Sequence, residues 1–253
     1  MHAQTLEARL AELIADEQPC VALTGAGIST ESGIPDFRSP EGLWAEFDPL
    51  EYGSLEAFRT DPEKVWRFYA PRFAMLADAE ANAGHRALAE LERRGLVQAV
   101  VTQNIDLLHA RAGGREVVEV HGSIRTSSCP GCRAAYELAE VLPLIEAGAG
   151  APRCPRCRTV LKPDVVFFGE LLPQPAIDRA FELAAAARLL LVVGSALEVY
   201  PIAGLPLETL RAGGKLAIIN KGPTAFDERA VLRVEASAGE ALAAVTRALD
   251  ARE

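Results

Sequence analysis

Unbroken runs of Val, Leu, Ile and Ala alternate along this chain with stretches in which apolar residues recur every three or four positions. The runs Cys20–Thr24, Gln98–Thr102, Glu116–Val120, Val165–Phe168, Leu189–Val193 and Lys215–Ile219 lack the in–out alternation of a half-wet strand. They predict strands covered on both faces, as in a parallel sheet. Between them, Asn82–Arg94, Pro175–Ala187, Pro201–Arg211 and Gly239–Ala251 carry helical periodicity, and Leu6, Leu10, Leu13 and Ile14 fall on one face of a short amphipathic helix. Strand and helix in alternation predict a doubly wound α/β core.

Two segments break this rhythm. Residues 39–81 hold Trp44, Phe47, Tyr52, Phe58, Trp66, Phe68, Tyr69 and Phe73, most of the aromatic side chains of the protein, and predict an inserted helical module. Residues 126–161 hold two cysteine pairs among many Arg, Gly and Pro and predict a second insert. The core is then assembled from residues 1–38, 82–125 and 162–253, and 253 residues suffice for such a main domain with a smaller one.

Composition narrows the partners. Apolar residues are 49% and charged residues 24%, ordinary for a globular chain. The net charge of −9, from 26 Lys+Arg against 35 Asp+Glu, argues against nucleic acid as the main ligand, since phosphate binding needs a basic face. The run Leu183–Val193 contains Arg188 and is too short to span a membrane. Near the N-terminus, Glu7, Arg9 and Glu12 interrupt the apolar positions of any signal-like segment, so a cytoplasmic location is expected.

Four of the five cysteines form the pairs Cys129-Pro-Gly-Cys132 and Cys154-Pro-Arg-Cys157, with 21 residues between Cys132 and Cys154. Each pair makes a tight turn that aims two sulfurs at one point, and two such turns supply the tetrahedral four-sulfur site that zinc favours. Four thiolates fill the coordination sphere, so the expected zinc is structural and the insert a zinc ribbon. Cys20 opens an apolar strand and reads as a small buried residue.

The strand ending at Thr24 runs directly into Gly25-Ala26-Gly27, a bend at which backbone N–H groups can approach a pyrophosphate. The third glycine comes only at Gly33, so the usual dinucleotide spacing is not met. Other strands end in Gln103-Asn104-Ile105-Asp106, His121-Gly122, Gly194-Ser195 and Asn220. In an open parallel sheet ligands bind beyond such carboxyl ends, and five of them with glycine or small polar groups favour a dinucleotide crevice.

Gly25-Ala26-Gly27-Ile28-Ser29 with Gly33-Ile34-Pro35-Asp36-Phe37-Arg38 closely resembles the signature of the sirtuin family. Thr102-Gln103-Asn104-Ile105-Asp106 with Leu108-His109, His121-Gly122, the cysteine pairs, Val166-Phe167-Phe168-Gly169-Glu170 and Gly194-Ser195 match it too, in the family's order. The resemblance implies a Rossmann-like parallel sheet with a small domain of zinc ribbon plus helical insert. It implies an NAD-dependent protein lysine deacylase that releases nicotinamide, O-acyl-ADP-ribose and free lysine. Gly25, Ala26, Gly27, Ser29, Thr30, Phe37 and Arg38 would line the NAD loop. Gln103, Asn104, Ile105 and Asp106 would hold the nicotinamide ribose, and Gly194, Ser195, Asn220, Lys221 and Ala238 the adenosine side. Val166, Phe168, Gly169 and Glu170 would meet an acylated lysine of a protein substrate, laid as a strand against 169–171 and 197–199. His121 matches the family's catalytic base, with Asn104 beside it, and imidazole takes a proton near neutral pH as that role requires. His2, His85 and His109 read as structural.

Tyr69 and Arg72 leave two readings open. At i and i+3 of a helix they share a face, and a phenol with a guanidinium clamps a carboxylate, as in sirtuins that remove succinyl and malonyl groups. Alternatively Tyr69 belongs to an apolar stripe with Trp66, Phe73 and Leu76, and Arg72 pairs with a surface acid, with Pro71 kinking the helix. Deacetylation is the base expectation. Mono-ADP-ribosyl transfer to protein and NAD sensing without turnover are the alternatives.

Overall fold

The computed structural model describes residues 5–37, 39–40, 42–146 and 150–252. Among them, in chain order, the strands are β1 (Cys20–Thr24), β2 (Ala99–Thr102), β3 (Val117–Glu119), β4 (Gly122–Ser128), β5 (Ala135–Glu137), β6 (Lys162–Val165), β7 (Leu189–Val193), β8 (Lys215–Ile219) and β9 (Leu232–Val234). The helices are α1 (Leu6–Asp16), α2 (Leu43–Glu46), α3 (Pro49–Tyr52), α4 (Leu55–Thr60), α5 (Pro62–Asp78), α6 (Ala83–Arg93), α7 (Leu108–Arg111), α8 (Leu138–Glu146), α9 (Gln174–Ala186), α10 (Leu205–Arg211) and α11 (Ala238–Asp250). None of the described helices is long and apolar enough to cross a membrane.

Six strands form one sheet in the order β3-β2-β1-β7-β8-β9, every pair parallel. The chain winds outward from β1 to β3, returns to lay β7 against β1, and winds outward again. Strand order therefore reverses between β1 and β7, the position at which a doubly wound sheet opens a crevice. All five residues of β1 and of β7 are buried. Cys20 and Ala22 join the core that holds Leu10, Leu88 and Leu242 of α1, α6 and α11, whereas Val21 and Leu23 join Leu183, Ala184 and Leu205 of α9 and α10. Two-sided burial is why the strand sequences are apolar throughout, and each full burial of Val or Leu contributes about 1.5–3 kcal/mol. Cys20 is wholly buried and its thiol is pushed up to about 12, which makes it an inert apolar residue.

Two expectations need correction. The run Val165–Phe168 is not a strand of the main sheet: its first residue closes β6, which pairs antiparallel with β4 in a separate three-stranded sheet, β5-β4-β6. Val165 and Phe167 are apolar because they face a third core, shared with Phe58, Trp66 and Phe73. The sixth main-sheet strand is β9, whose three residues carry Arg233 at the centre and so give no apolar run. Elsewhere the elements follow the pattern closely. Asn82 caps α6 by accepting from the amides of Gly84 and His85, while His85 Nδ1 accepts from the amide of Asn82. Pro71 lies inside α5 without ending it.

The crevice is framed by glycines in backbone contact. Gly25 N–H donates to Val193 O (3.1 Å) and Gly27 N–H to Gly194 O (2.9 Å). A Cβ on Gly25 or Gly27 would come within 2.8 Å of Gly194 backbone, and one on Gly194, whose φ is +63°, within 2.4 Å of the amide nitrogen of Ile28. These glycines are needed first for packing loop on loop. Gly194→Ala should lose about 2 kcal/mol or more by chemical denaturation, combining left-handed strain with the overlap. Gly213→Ala, at φ +84° with nothing nearby, isolates the strain alone and should lose about 1–2 kcal/mol. Equal losses in the two variants would mean the loop contact carries no energy.

Candidate active site

The carboxyl ends of β1, β2, β7 and β8 open into a cavity of about 1440 Å³, closed on its far side by α2, α5 and the segment after β6. The described residues expected at the nucleotide and acyl-lysine positions line this one cavity, from Ala26, Thr30 and Phe37 to Lys221 and Ala238, except Leu197 of the 197–199 segment, which is buried in the core. Arg38 lies outside the described residues. Reading by motif missed further lining residues: Trp44 and Met75, for which the aromatic-rich insert was the one signal, and Tyr200, which carried none.

Beneath the cavity floor lies a buried polar network. Asn104 Nδ2 donates to Gly25 O (3.2 Å) and to Ser29 Oγ (3.0 Å), and Ser29 Oγ donates to Asp106 Oδ2 (2.6 Å). Both amide protons of Asn104 are thereby used, which leaves Oδ1, an acceptor, for a ligand. Asp106 Oδ1 accepts from the amide of Leu108 (2.9 Å), and Leu107 sits at φ +66°. His85 and His109 pack ring to ring at 4.9 Å behind these groups. His85 Nε2 lies 3.4 Å from Ser29 Oγ, and His109 Nε2 lies 2.9 Å from Thr24 Oγ1. Thr24 donates its single proton to Thr102, so His109 carries its proton on Nε2. Burial depresses both imidazoles, His85 to about 4, with Asp106 pulling the other way, and His109 to about 3, helped by His85. Both are structural, as expected from sequence, but their hydrogen bonds to residues at the cavity floor were not legible there.

His121 is held differently. Its Nδ1 lies 3.0 Å from the carbonyl of Gln103, which can only accept, so Nδ1 bears the proton and Nε2 is the basic nitrogen. Gln103 is itself fixed, its amide donating to Thr24 O and its side chain to Ser195 Oγ (3.0 Å). The carbonyl of His121 accepts from Val166 N–H (2.9 Å), which ties the ring to the segment Val166–Glu170. In that segment Phe168 pairs through both backbone groups with Gly53 and Leu55. The Glu170 carboxylate accepts from the amide of Phe167 (2.8 Å) and pairs with Lys162 (2.9 Å), so it shapes its own turn. At the end of β8, Asn220 Nδ2 donates to Lys221 O and Gly222 O, and Gly239 at the start of α11 donates to Glu31 (2.7 Å).

Aromatic side chains wall the opposite end. Phe37 stacks on Trp44, and Trp44 on Phe68. Tyr69 is half-buried against Phe167 and Phe73 yet reaches the cavity, and burial raises its hydroxyl pKa. The Arg72 guanidinium lies 3.6 Å over the Phe68 ring and donates to the Phe68 carbonyl (2.5 Å). Burial lowers its pKa, Tyr69 and Glu46 pull the other way, and among the described residues it forms no ion pair.

Away from the cavity the four cysteines converge, their sulfurs all within 4.8 Å of one another. Cys129 to Cys157 is 3.4 Å and Cys132 to Cys154 is 3.6 Å, close to the ~3.8 Å edge of a tetrahedron with ~2.3 Å zinc–sulfur bonds. The two loops are built alike. In each, the first cysteine's amide bonds five residues ahead, to Ala134 O or Thr159 O (2.8 Å each), and its carbonyl accepts from Arg133 or Arg158, both at positive φ. The Tyr136 hydroxyl reaches Cys154 Sγ at 3.1 Å. This donor set fits zinc and leaves no ligand position for chemistry.

A family model described as the Sir2 family matches residues 25–201. The chain belongs to the Sir2 family. A protein named NAD-dependent protein deacetylase from Caldivirga maquilingensis is 47% identical over 92% of this chain and 90% of its own length. NAD-dependent protein deacylase 1 of Archaeoglobus fulgidus is 41% identical over 96% of this chain and 97% of its own. Among solved structures, a Sir2 complex with a p53 peptide and NAD+ has a TM-score of 0.86 at 40% identity, covering 94% of this chain and 96% of that one. A Sir2 complex with a deacetylated p53 peptide and 3′-O-acetyl ADP ribose has a TM-score of 0.90 at 40% identity, with the same coverage. The Sir2 fold of this chain is therefore a doubly wound parallel sheet with a four-cysteine module beside it.

The buried imidazoles give this Sir2 chain a pH signature. Their folded pKa values lie below the ordinary 6.5, so between about 6.5 and 4 the unfolded state binds more protons than the folded one. Their contribution to stability is complete above about 6.5 and is lost as pH falls through that window. Melting temperature by calorimetry should fall from about pH 7 to about pH 5, and less steeply in His109→Gln. An unchanged slope in that variant would mean that His109 titrates alike in both states.

Proposed function

We propose that this chain is an NAD-dependent deacylase of lysine side chains in proteins, with a structural zinc. One observation carries the reading: a histidine whose Nδ1–H is fixed by the Gln103 carbonyl stands beside Asn104, whose one remaining polar atom is an acceptor. Relatives named deacetylases or deacylases, and Sir2 structures with acetylated peptide or with NAD+, support it. In this reading residues 1–38, 82–125 and 162–253 form the NAD-binding domain, and 39–81 with 126–161 form the small domain. Gly25, Ala26 and Gly27 line the NAD loop, Gln103 and Asp106 serve the nicotinamide half, and Gly194, Ser195, Asn220 and Lys221 the adenosine half.

Bound NAD supplies an electrophilic ribose carbon for the acyl oxygen and the hydroxyl that carries the acyl group away; with one water consumed to break the amide C–N bond, the products are nicotinamide, O-acyl-ADP-ribose and free lysine. His121 Nε2 takes the proton of that hydroxyl, and the Nδ1–H bond to Gln103 O holds the ring in orientation as it becomes charged. Asn104 accepts from a ribose hydroxyl through Oδ1, while Ser29 and Asp106 hold Asn104 still. Phe37, Trp44 and Phe168 keep bulk water from the ribose carbon and so limit premature hydrolysis of NAD. The peptide lies along Val166–Glu170, which Glu170 and Lys162 stiffen from below.

A specific observation favours acidic acyl groups beside acetyl. Arg72 reaches the cavity with its charge over aromatic faces; the Glu46 carboxylate acts on it electrostatically, but among the described residues no carboxylate is its ion-pair partner. A terminal carboxylate of a succinyl or malonyl chain supplies that partner, with Tyr69 alongside. Mass spectrometry of matched acetyl-lysine and succinyl-lysine peptides, with and without NAD, tests both parts. His121→Ala should lower turnover on either peptide by about 10²–10⁴-fold. Arg72→Met should lower kcat/KM on the succinyl peptide by about 10–100-fold and leave the acetyl peptide within about threefold. Parallel losses on both peptides would make Arg72 a structural residue. Labelled ADP-ribose on protein without peptide deacylation would select the transferase reading.

A further inference from the structure

The zinc loops lie far along the chain from Tyr69 and Arg72, yet two contacts join them through α5. Trp66, 1% exposed, donates its indole N–H to the carbonyl of Leu161 (2.6 Å), four residues after Cys157. One turn earlier, Glu63 accepts from the amide of Ala151 (2.5 Å) and from Arg153 (2.5 Å), on the other side of Cys154. Leu161 N–H donates to Pro152 O, so the two attachment points close into one loop around the second cysteine pair. Gly150, at φ +101°, makes room, since a Cβ there would stand 2.6 Å from the Glu63 carboxylate. Beneath this clamp Trp66 and Phe73 share a core with Cys129 and Cys154. Glu63, Trp66 and Tyr69 follow one another at i, i+3 and i+6, so the clamped face of α5 continues directly into the residue that reaches the cavity.

We infer that the zinc module is the positioning device for the acyl end of the cavity, acting through Glu63 and Trp66 on α5. Zinc fixes the second cysteine loop. That loop holds one face of α5 at two points, and α5 in turn sets Tyr69 and Arg72. Neither Glu63 nor Trp66 lines the cavity, so both are positioning residues. The inference rests on the deacylase reading only for its kinetic arm.

The first arm needs no activity. Zinc is removed from the full-length protein with a chelator, and hydrogen exchange is followed by mass spectrometry. Amides of Pro62–Asp78 should exchange at least about tenfold faster while β1 and β7 stay protected; unchanged exchange in α5 overturns the inference. The second arm uses Trp66→Phe, which keeps the ring and leaves the Leu161 carbonyl without its donor, and Glu63→Ala, which releases the other point. Each should release zinc to a chromogenic chelator about tenfold faster than the parent. Each should raise KM for the acylated peptide about tenfold and leave KM for NAD unchanged. Parental zinc release, or KM values that rise together, overturns it. If Trp66→Phe does not fold, Glu63→Ala decides alone. If the parent shows no NAD-dependent deacylation, the functional reading falls, and exchange in α5 with zinc release still decides the coupling.

Discussion

Gly194 meets Gly25 and Gly27 backbone to backbone where the strand order reverses, and the geometry of the cavity follows from that contact. The loop after β1 can lie across the end of β7 only because no Cβ intervenes. Once it does, Ser29 is carried over Asn104 and Asp106, and Ser195 over Gln103. Residues from four strand ends then converge without any of them being near in sequence. A doubly wound sheet offers the crevice in general, and the three glycines make it narrow enough here for side chains of opposite loops to bond.

Below that contact the protein invests buried polarity. Thr24, Ser29, Thr102, Asn104, Asp106, His85 and His109 are all buried, and each has hydrogen-bond partners. Left unpaired, such groups would each cost about 1–3 kcal/mol, so the set is stable only as a whole. Its consequence is directional. With donors spent inward, Asn104 offers an acceptor to the cavity, and with Nδ1 spent on Gln103, His121 offers a base. Reactive orientation is thus fixed by what lies under the site.

The other wall has a different physical basis. It is aromatic and apolar, and its helix α5 is stapled to the cysteine loops through Trp66 and Glu63. The cavity thus has a polar floor on the parallel sheet and an apolar wall on the insert, tied to the cysteine loops.

Much of this was legible in the sequence. Two-sided burial makes β1, β2, β7 and β8 unbroken apolar runs, and two C-x-x-C turns at ribbon spacing announce a four-sulfur site because the turn itself aims the sulfurs. The strand-end motifs pointed to the residues that line the cavity, since ligands of a parallel sheet gather at its carboxyl ends. Tertiary structure alone decided the rest. Val165–Phe168 reads as a core strand because a buried residue is apolar whichever core it enters, and only pairing with β4 assigns it to the second sheet. The short strand β9 buries Leu232 and Val234 on either side of Arg233, an alternation of three residues too short to stand out from the sequence. Gly25 and Gly27 suggest a phosphate loop by sequence, but their need for Gly194 is a contact with a residue far along the chain. The environment of Arg72 and the tautomers of His109 and His121 depend on neighbours distant in the chain. Local pattern records whether a residue is buried; which partner it meets there is set by the packing of the whole.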